Sequence, residues 1–216
     1  VDVAPLDDVA AAVRERGVRC ETRAADLAAL TPEQAAELVA WSEERCEDVA
    51  VLVNNAGMIR RGPSTDVPAE EWHAVIALNL TAPFFLAQAF GRARLAAGRP
   101  GSIVNVVSMN SFQGGIEVTS YTASKHGLLG VTRALANEWT GRGVRVNGIA
   151  PGYMATELTV ALREDPARYE TFRARMPAGR WGEPDDLAGA VVFLASDASQ
   201  YVSGSVIAVD GGWLSR

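Results

Sequence analysis

Three side chains offer the most specific chemistry in this sequence: Ser108, Tyr121 and Lys125. Tyr121 and Lys125 are four residues apart, so on a helix they share one face. A phenol with an ordinary pKa near 10 is a poor acid or base at neutral pH. A fixed ammonium beside it favours the phenolate and moves the group toward the range of general acid–base catalysis. Of the 20 basic side chains, Lys125 is the single lysine, and the other 19 are arginine. A lysine kept in such a background suits chemistry that a planar, permanently charged guanidinium cannot perform. Ser108 opens the loop that follows an apolar strand, thirteen residues before Tyr121. A hydroxyl at a strand end and a phenol at the start of the next helix can converge on one substrate oxygen.

Short β-branched runs alternate with longer helical ones, and these must position the three groups. The strand candidates are 18–22, 49–53, 102–107, 144–149 and 205–209, mostly continuous apolar runs of the kind buried on both faces of a parallel sheet. Helices are expected from Pro5 to Arg16, ended by Gly17, and from the Thr31-Pro32-Glu33-Gln34 cap to Cys46. Further helices are expected over 69–97, 121–140 and 184–195. The alternation predicts an α/β fold, a doubly wound parallel sheet in a single domain over 1–216. The stretch 150–182 carries Pro151, Pro166 and Pro177, with Pro184 just beyond, and no clear strand. Ligands bind outside the carboxyl ends of such strands, so 150–182 is a candidate substrate lid.

Composition narrows the classes. The chain of 216 residues is 48% hydrophobic and 21% charged, enough for a sizeable core. A net charge of -6 with a pI near 5.0 argues against a nucleic-acid partner. No apolar run is expected to approach the roughly 18 residues of a membrane span, and the opening residues do not read as a secretory signal. Cys20 and Cys46 have no metal-ligand spacing and fit a reduced cytoplasm, while His73 and His126 are too far apart for a zinc site, so no metal is expected.

Asn54-Asn55-Ala56-Gly57 after a strand, Asn79, Ser108, Tyr121-Thr-Ala-Ser-Lys125 and Pro151-Gly152 with Thr156 stand in a joint order that resembles the short-chain dehydrogenase/reductase family. The resemblance runs the length of the chain. It implies a Rossmann-like fold with Tyr121 as acid/base and Lys125 lowering its pKa and binding the nicotinamide ribose. Ser108 would orient the substrate oxygen, and Asn79 would support a water-linked proton relay. It implies that Asn55, Ala56, Gly57, Pro151, Gly152, Met154 and Thr156 hold the cofactor, with Asp26 and Leu27 facing the adenine. The family's first strand, Gly-rich loop and first helix have no match here, and Val1-Asp2-Val3 reads as the end of its second strand. An acid at that place accepts from the adenosine ribose and repels a 2′-phosphate, so Asp2 predicts NAD over NADP. A chain without the Gly-rich cradle is expected to bind dinucleotide poorly and to be an incomplete record or a truncated product.

Within the family, Ser111-Phe-Gln-Gly-Gly115 and Gly179-Arg-Trp-Gly182 resemble dehydrogenases of deoxy- and dehydro-gluconates. A sugar acid needs a cation for its carboxylate, and Arg60-Arg61 follow the Asn-Asn-Ala-Gly turn. Arg60 and Gln113 are therefore substrate candidates beside Ser108 and Tyr121. A 3-oxoacyl thioester reductase using NADPH is the alternative within the same chemistry, and a non-catalytic dinucleotide-binding homologue the alternative outside it. Leu78, Leu80, Phe84, Phe85, Leu128, Leu129 and Val131 make two helices apolar on more than one face. That surplus suggests a subunit contact, and the resemblance implies a homotetramer.

Overall fold

The computed structural model describes Asp2 and residues 6–216. Val1, Val3 and Pro5, read above as a strand end and a helix start, lie outside the described residues. Among those described, the helices are α1 (Asp7–Glu15), α2 (Pro32–Arg45), α3 (Ala69–Ile76), α4 (Ala82–Ala96), α5 (Thr119–Trp139), α6 (Val160–Arg163), α7 (Pro166–Arg175) and α8 (Ala188–Ala195). The strands β1 (Val51–Asn54), β2 (Gly101–Val106), β3 (Val144–Pro151) and β4 (Val206–Val209) lie in that order, each pair parallel.

Alternation along the strands sends neighbouring side chains to opposite faces. Ile103, Val144 and Val146 pack with Ala87 and Phe90 of α4 and Leu135, Ala136 and Trp139 of α5. Val104 and Ile149 pack on the other face against Leu194 of α8. Helices thus cover both faces, as the unbroken apolar runs predict. Each such aliphatic side chain removed from water contributes roughly 1.5–3 kcal/mol.

The predicted cap of α2 forms as a reciprocal pair. The Thr31 hydroxyl accepts from the Gln34 amide at 3.2 Å, and the Gln34 side chain accepts from the Thr31 amide at 3.0 Å. The helix expected over 69–97 is α3 and α4 joined by one π-helical turn, Ala77–Thr81. Such a turn offsets the helix register locally, and nothing in the residue types signals it.

Three expectations are corrected. The run 18–22 forms no strand; its neighbourhood makes one parallel bridge, Asp2 to Ala24, and Val18 is 57% exposed. Arg19 and Glu21 pair on the surface there at 3.3 Å, so the apolar reading rested on too few residues. Residues 74–91 contain no charged side chain, and the stretch Ala69–Ala96 is long and apolar enough to cross a membrane by length and composition. Here that apolarity serves packing, with Ala87 and Phe90 buried under the sheet. The apolar residues expected to be surplus are also used internally. Leu128 and Leu129 are buried, and Leu78, Leu80, Phe84, Phe85 and Val131 pack against three of the core clusters.

Residues 150–182 leave β3 and carry α6 and α7. The Asp165 carboxylate caps α7 by accepting from the amides of Ala167 and Arg168, at 3.0 and 3.1 Å. The segment returns to its own start where Ala155 donates to the Gly182 carbonyl at 2.7 Å and Gly182 to that of Tyr153 at 2.9 Å. Tyr153, Phe172, Trp181 and Trp213 close an aromatic cluster beneath it.

Candidate active site

The carboxyl ends of β2 and β3 open into a cavity of about 770 Å³. Ser108, Tyr121 and Lys125 all line it. Ser108 follows β2 and caps a short 3-10 turn, its hydroxyl accepting from the Asn110 amide at 3.1 Å. The next side chain of that turn, Ser111, accepts from the Ser108 amide at 3.2 Å and donates to the Lys125 carbonyl at 2.8 Å. The serine loop and α5 are therefore fastened together. The Lys125 ammonium is buried and donates to the Val106 carbonyl at 2.7 Å, at the end of β2.

The electrostatics differ from the sequence expectation. Burial raises the Tyr121 phenol above its ordinary pKa, while the nearby Ser108 hydroxyl and the Arg61 guanidinium draw it back down. The Lys125 nitrogen is held by Val106 and lies over the ring, 5.7 Å from its centroid. Burial in turn lowers the Lys125 pKa to about 8, since a desolvated ammonium is disfavoured.

Asn79 sits in the π-helical turn and is fully buried. Its side chain accepts from the Met58 amide and donates to the Met58 carbonyl, both at 2.8 Å, and donates to the Ser124 hydroxyl at 3.2 Å. It ties the loop after β1 to α5 and is not on the cavity wall. Asn55, Gly57, Pro151, Gly152, Met154, Thr156 and Gln113 are on that wall. Asp2, Asp26, Leu27 and Ala56 are not: Asp26 caps a 3-10 turn through the Ala28 amide at 2.9 Å, and Leu27 and Ala56 pack with Leu38 and Ala82.

Arg60 is the clearest misplacement. Asn55, Gly57, Ile59 and Arg61 line the cavity, so in this extended loop alternate residues face it and Arg60 faces away. Arg61 is the cation at that edge. Tyr153, Arg168 and Arg175 also line the cavity and were not singled out. Tyr153 follows the Pro151-Gly152 pair, which was a usable signal; the two arginines reach the cavity only through the placement of α7.

The wall fits a nicotinamide dinucleotide. A Cβ on Gly57 would come within 3.3 Å of Asn79 Oδ1 and 3.7 Å of Lys125 Nζ, so bare backbone borders the ammonium there. Lys125 has three donors and spends one on Val106, leaving two for a ribose diol. A Cβ on Gly152 would lie 2.6 Å from Asp210 Cα, so the segment after β3 lies flush on the turn after β4. The volume is within the roughly 300–1,000 Å³ of small-molecule sites.

Comparison with known proteins agrees with this geometry. The family described as "Enoyl-(Acyl carrier protein) reductase" matches residues 3–214. The chain is 54% identical over 168 residues to 2-dehydro-3-deoxy-D-gluconate 5-dehydrogenase of Escherichia coli, an alignment covering 78% of this chain. It spans 66% of that relative's length, slightly under two thirds. A solved structure of a candidate NAD(P)-dependent gluconate 5-dehydrogenase from Beutenbergia cavernae, with NADP bound at low occupancy, is 51% identical with a TM-score of 0.91, covering 98% of this chain and 83% of that one. A candidate 2-deoxy-D-gluconate 3-dehydrogenase from Agrobacterium tumefaciens, with bound NADP, is 45% identical with a TM-score of 0.92, covering 99% and 84%.

The buried lysine gives a signed pH test. Its folded pKa, about 8, lies below the ordinary 10.5, so between these values the unfolded chain binds more protons. The penalty for burying the charge is therefore present below pH 8 and relieved as pH rises toward 10.5. Denaturant unfolding across that window should show the parent gaining stability relative to Lys125→Met. A flat difference would contradict the burial of a charged lysine.

Proposed function

This chain belongs to the short-chain dehydrogenase/reductase family, and on that premise we propose that it is an NAD(P)-dependent oxidoreductase interconverting a secondary alcohol and a ketone on a gluconate-type sugar acid. The observation that carries the reading is the convergence of Ser108, Tyr121 and Lys125 on one cavity walled by Asn55, Gly57 and Gly152. Bound NAD(P) supplies the hydride acceptor or donor. Tyr121 takes the substrate hydroxyl proton in the oxidation direction and returns it in reduction. Ser108 holds the same oxygen by a hydrogen bond. Lys125 supplies positive charge beside the phenol and donors for the ribose. Asn79 acts here as a positioning residue for α5 and the Met58 loop, which its three hydrogen bonds support. The segment 150–182 acts as the substrate lid, supported by the contribution of Leu158, Leu162 and Phe172 to the cavity wall.

NAD is proposed as the preferred cofactor. The parallel bridge between Asp2 and Ala24 supports an acid at a strand end near the adenosine ribose. NADP in the two solved relatives weighs toward the other cofactor. A homo-oligomer, a tetramer by family resemblance, is also proposed. Its support is now Val192, Phe193 and Tyr201, at 65%, 37% and 105% exposure, instead of the helix residues singled out above.

Tyr121→Phe is expected to abolish all but a few per cent of turnover with an unchanged melting profile, and Lys125→Arg to fail badly because its guanidinium differs in size and donor geometry. Steady-state assays that find near-normal rates in either would remove the proton-transfer assignment. In the full-length protein, kcat/KM should favour NAD over NADP on the order of a hundredfold, and Asp2→Ser should relax this mainly through NADP affinity. Parity of the two cofactors in the parent would overturn the role of Asp2. Light scattering at micromolar concentration should give a tetramer, and a stable monomer would contradict the assembly.

A further inference from the structure

The chain as a whole is acidic, with a net charge of -6, yet its cavity is not. Among the described residues lining it, Arg61, Lys125, Arg168 and Arg175 are basic and Glu117 is the one carboxylate. Lys125 is buried while Arg61, Arg168 and Arg175 are exposed at the rim, and this grouping of cations around one concave wall favours an anion. The four cations are not equally available. Lys125 donates to Val106 and its remaining donors are assigned above to the ribose, and Arg168 pairs with Asp165 at 3.7 Å. Arg61 and Arg175 have no carboxylate within ion-pair distance and no side-chain hydrogen bond among the described residues.

Both are held in place by other means. The Gly62 amide donates to the Glu117 carbonyl at 3.0 Å, which fastens the turn carrying Arg61 to the loop that leads into α5. Glu117 takes a left-handed backbone there, φ 59, a conformation that is strained for a non-glycine residue and clusters at ligand clamps. The Arg175 guanidinium stacks on Trp213 with its carbon 4.0 Å from the ring centroid. Stacking uses the face of the guanidinium and leaves its in-plane donors for a carboxylate.

We propose that Arg61 and Arg175 together bind the substrate carboxylate, with the Tyr153 hydroxyl as a third donor between the aromatic cluster and the cavity. Both guanidinia lie close enough to oppose the rise that burial causes in the Tyr153 phenol. Tyr153 and Arg175 both meet Trp213, at 4.8 Å between ring centroids and 4.0 Å to the centroid, so the carboxylate end is the Tyr153 side of the cavity and the reacting carbon the Tyr121 side. The inference rests on the sugar-acid reading above and names the residues that make the site choose an acid over a neutral polyol.

The test is titration calorimetry of full-length protein loaded with NAD(P), using D-gluconate and its uncharged counterpart D-glucitol. Loss of one charge-assisted contact should weaken D-gluconate roughly ten- to hundredfold in Arg61→Gln and in Arg175→Gln, leaving D-glucitol within twofold of the parent. Arg175→Lys should recover part of the loss, since it keeps the charge without the fork. Among the described residues Arg61 stacks on no aromatic ring, so its variant gives the same readout if the Arg175 variant disturbs Trp213. A parent that binds neither D-gluconate nor any other six-carbon hydroxy acid defeats the sugar-acid reading, and the inference with it. A parent that binds the acid while both glutamine variants keep its affinity within twofold overturns the inference alone. Loss of NAD(P) affinity with D-gluconate unchanged would assign the two arginines to the cofactor and overturn it as well.

Discussion

The site depends on one interaction, the hydrogen bond from the buried Lys125 ammonium to the Val106 carbonyl at the end of β2. Taking an ammonium out of water is costly unless its donors are satisfied, and the backbone carbonyl meets part of that demand. The rest of the demand faces the cavity. A buried cation at that point fixes where α5 must lie against the sheet, and hence where Tyr121 stands relative to Ser108. The lowered pKa of Lys125 is the measurable trace of this arrangement.

A single bond could not hold a helix of 21 residues in register, and the surrounding polar contacts act on the same joint. Asn54 donates to Asn105 at 2.8 Å, Asn105 to Thr132 at 2.9 Å, and Thr132 to the Leu128 carbonyl at 2.8 Å, crossing from β1 through β2 into α5. Ser111 fastens the serine loop to Lys125, and Asn79 fastens the Met58 loop to Ser124. These polar side chains are buried except where they meet the cavity, which favours pairing them, though the Asn54 side-chain oxygen has no partner among the described residues. The π-helical turn places Asn79 at this junction, at the cost of regular helical pairing over Ala77–Thr81. Apolar packing alone would tolerate small slides of α5; directional bonds do not.

Much of this was legible in the sequence, for local reasons. Spacing of four on a helix put Tyr121 and Lys125 on one face, and Thr31-Pro32-Glu33-Gln34 announced its cap. Four of the five strand candidates formed, because their apolar runs are covered on both faces. What failed needed information that composition does not hold. Arg60 and Arg61 are chemically identical, and only the two-residue alternation of an extended loop decides which one meets the cavity. The run 18–22 has strand-forming types but forms no ladder among the described residues. Arg175 and Trp213 are 38 positions apart and meet only because α7 folds back over the aromatic cluster.

The distribution of charge completes the physical picture. Most acidic side chains lie on the outside, as in the exposed pairs Arg173 with Glu170 and Arg180 with Asp186, where solvent screening makes each pair worth little. Around the cavity one carboxylate stands among four cations, of which Lys125 is buried and Arg61, Arg168 and Arg175 are exposed at the rim. The buried Lys125 charge is screened least, and the three guanidinia act through their number on one concave wall. The aromatic cluster of Tyr153, Phe172, Trp181 and Trp213 borders the cavity on one side, and the buried end of β2 on the other. A chain of net charge -6 thus carries a cavity whose described lining has four cations and one carboxylate, a local reversal of the overall balance.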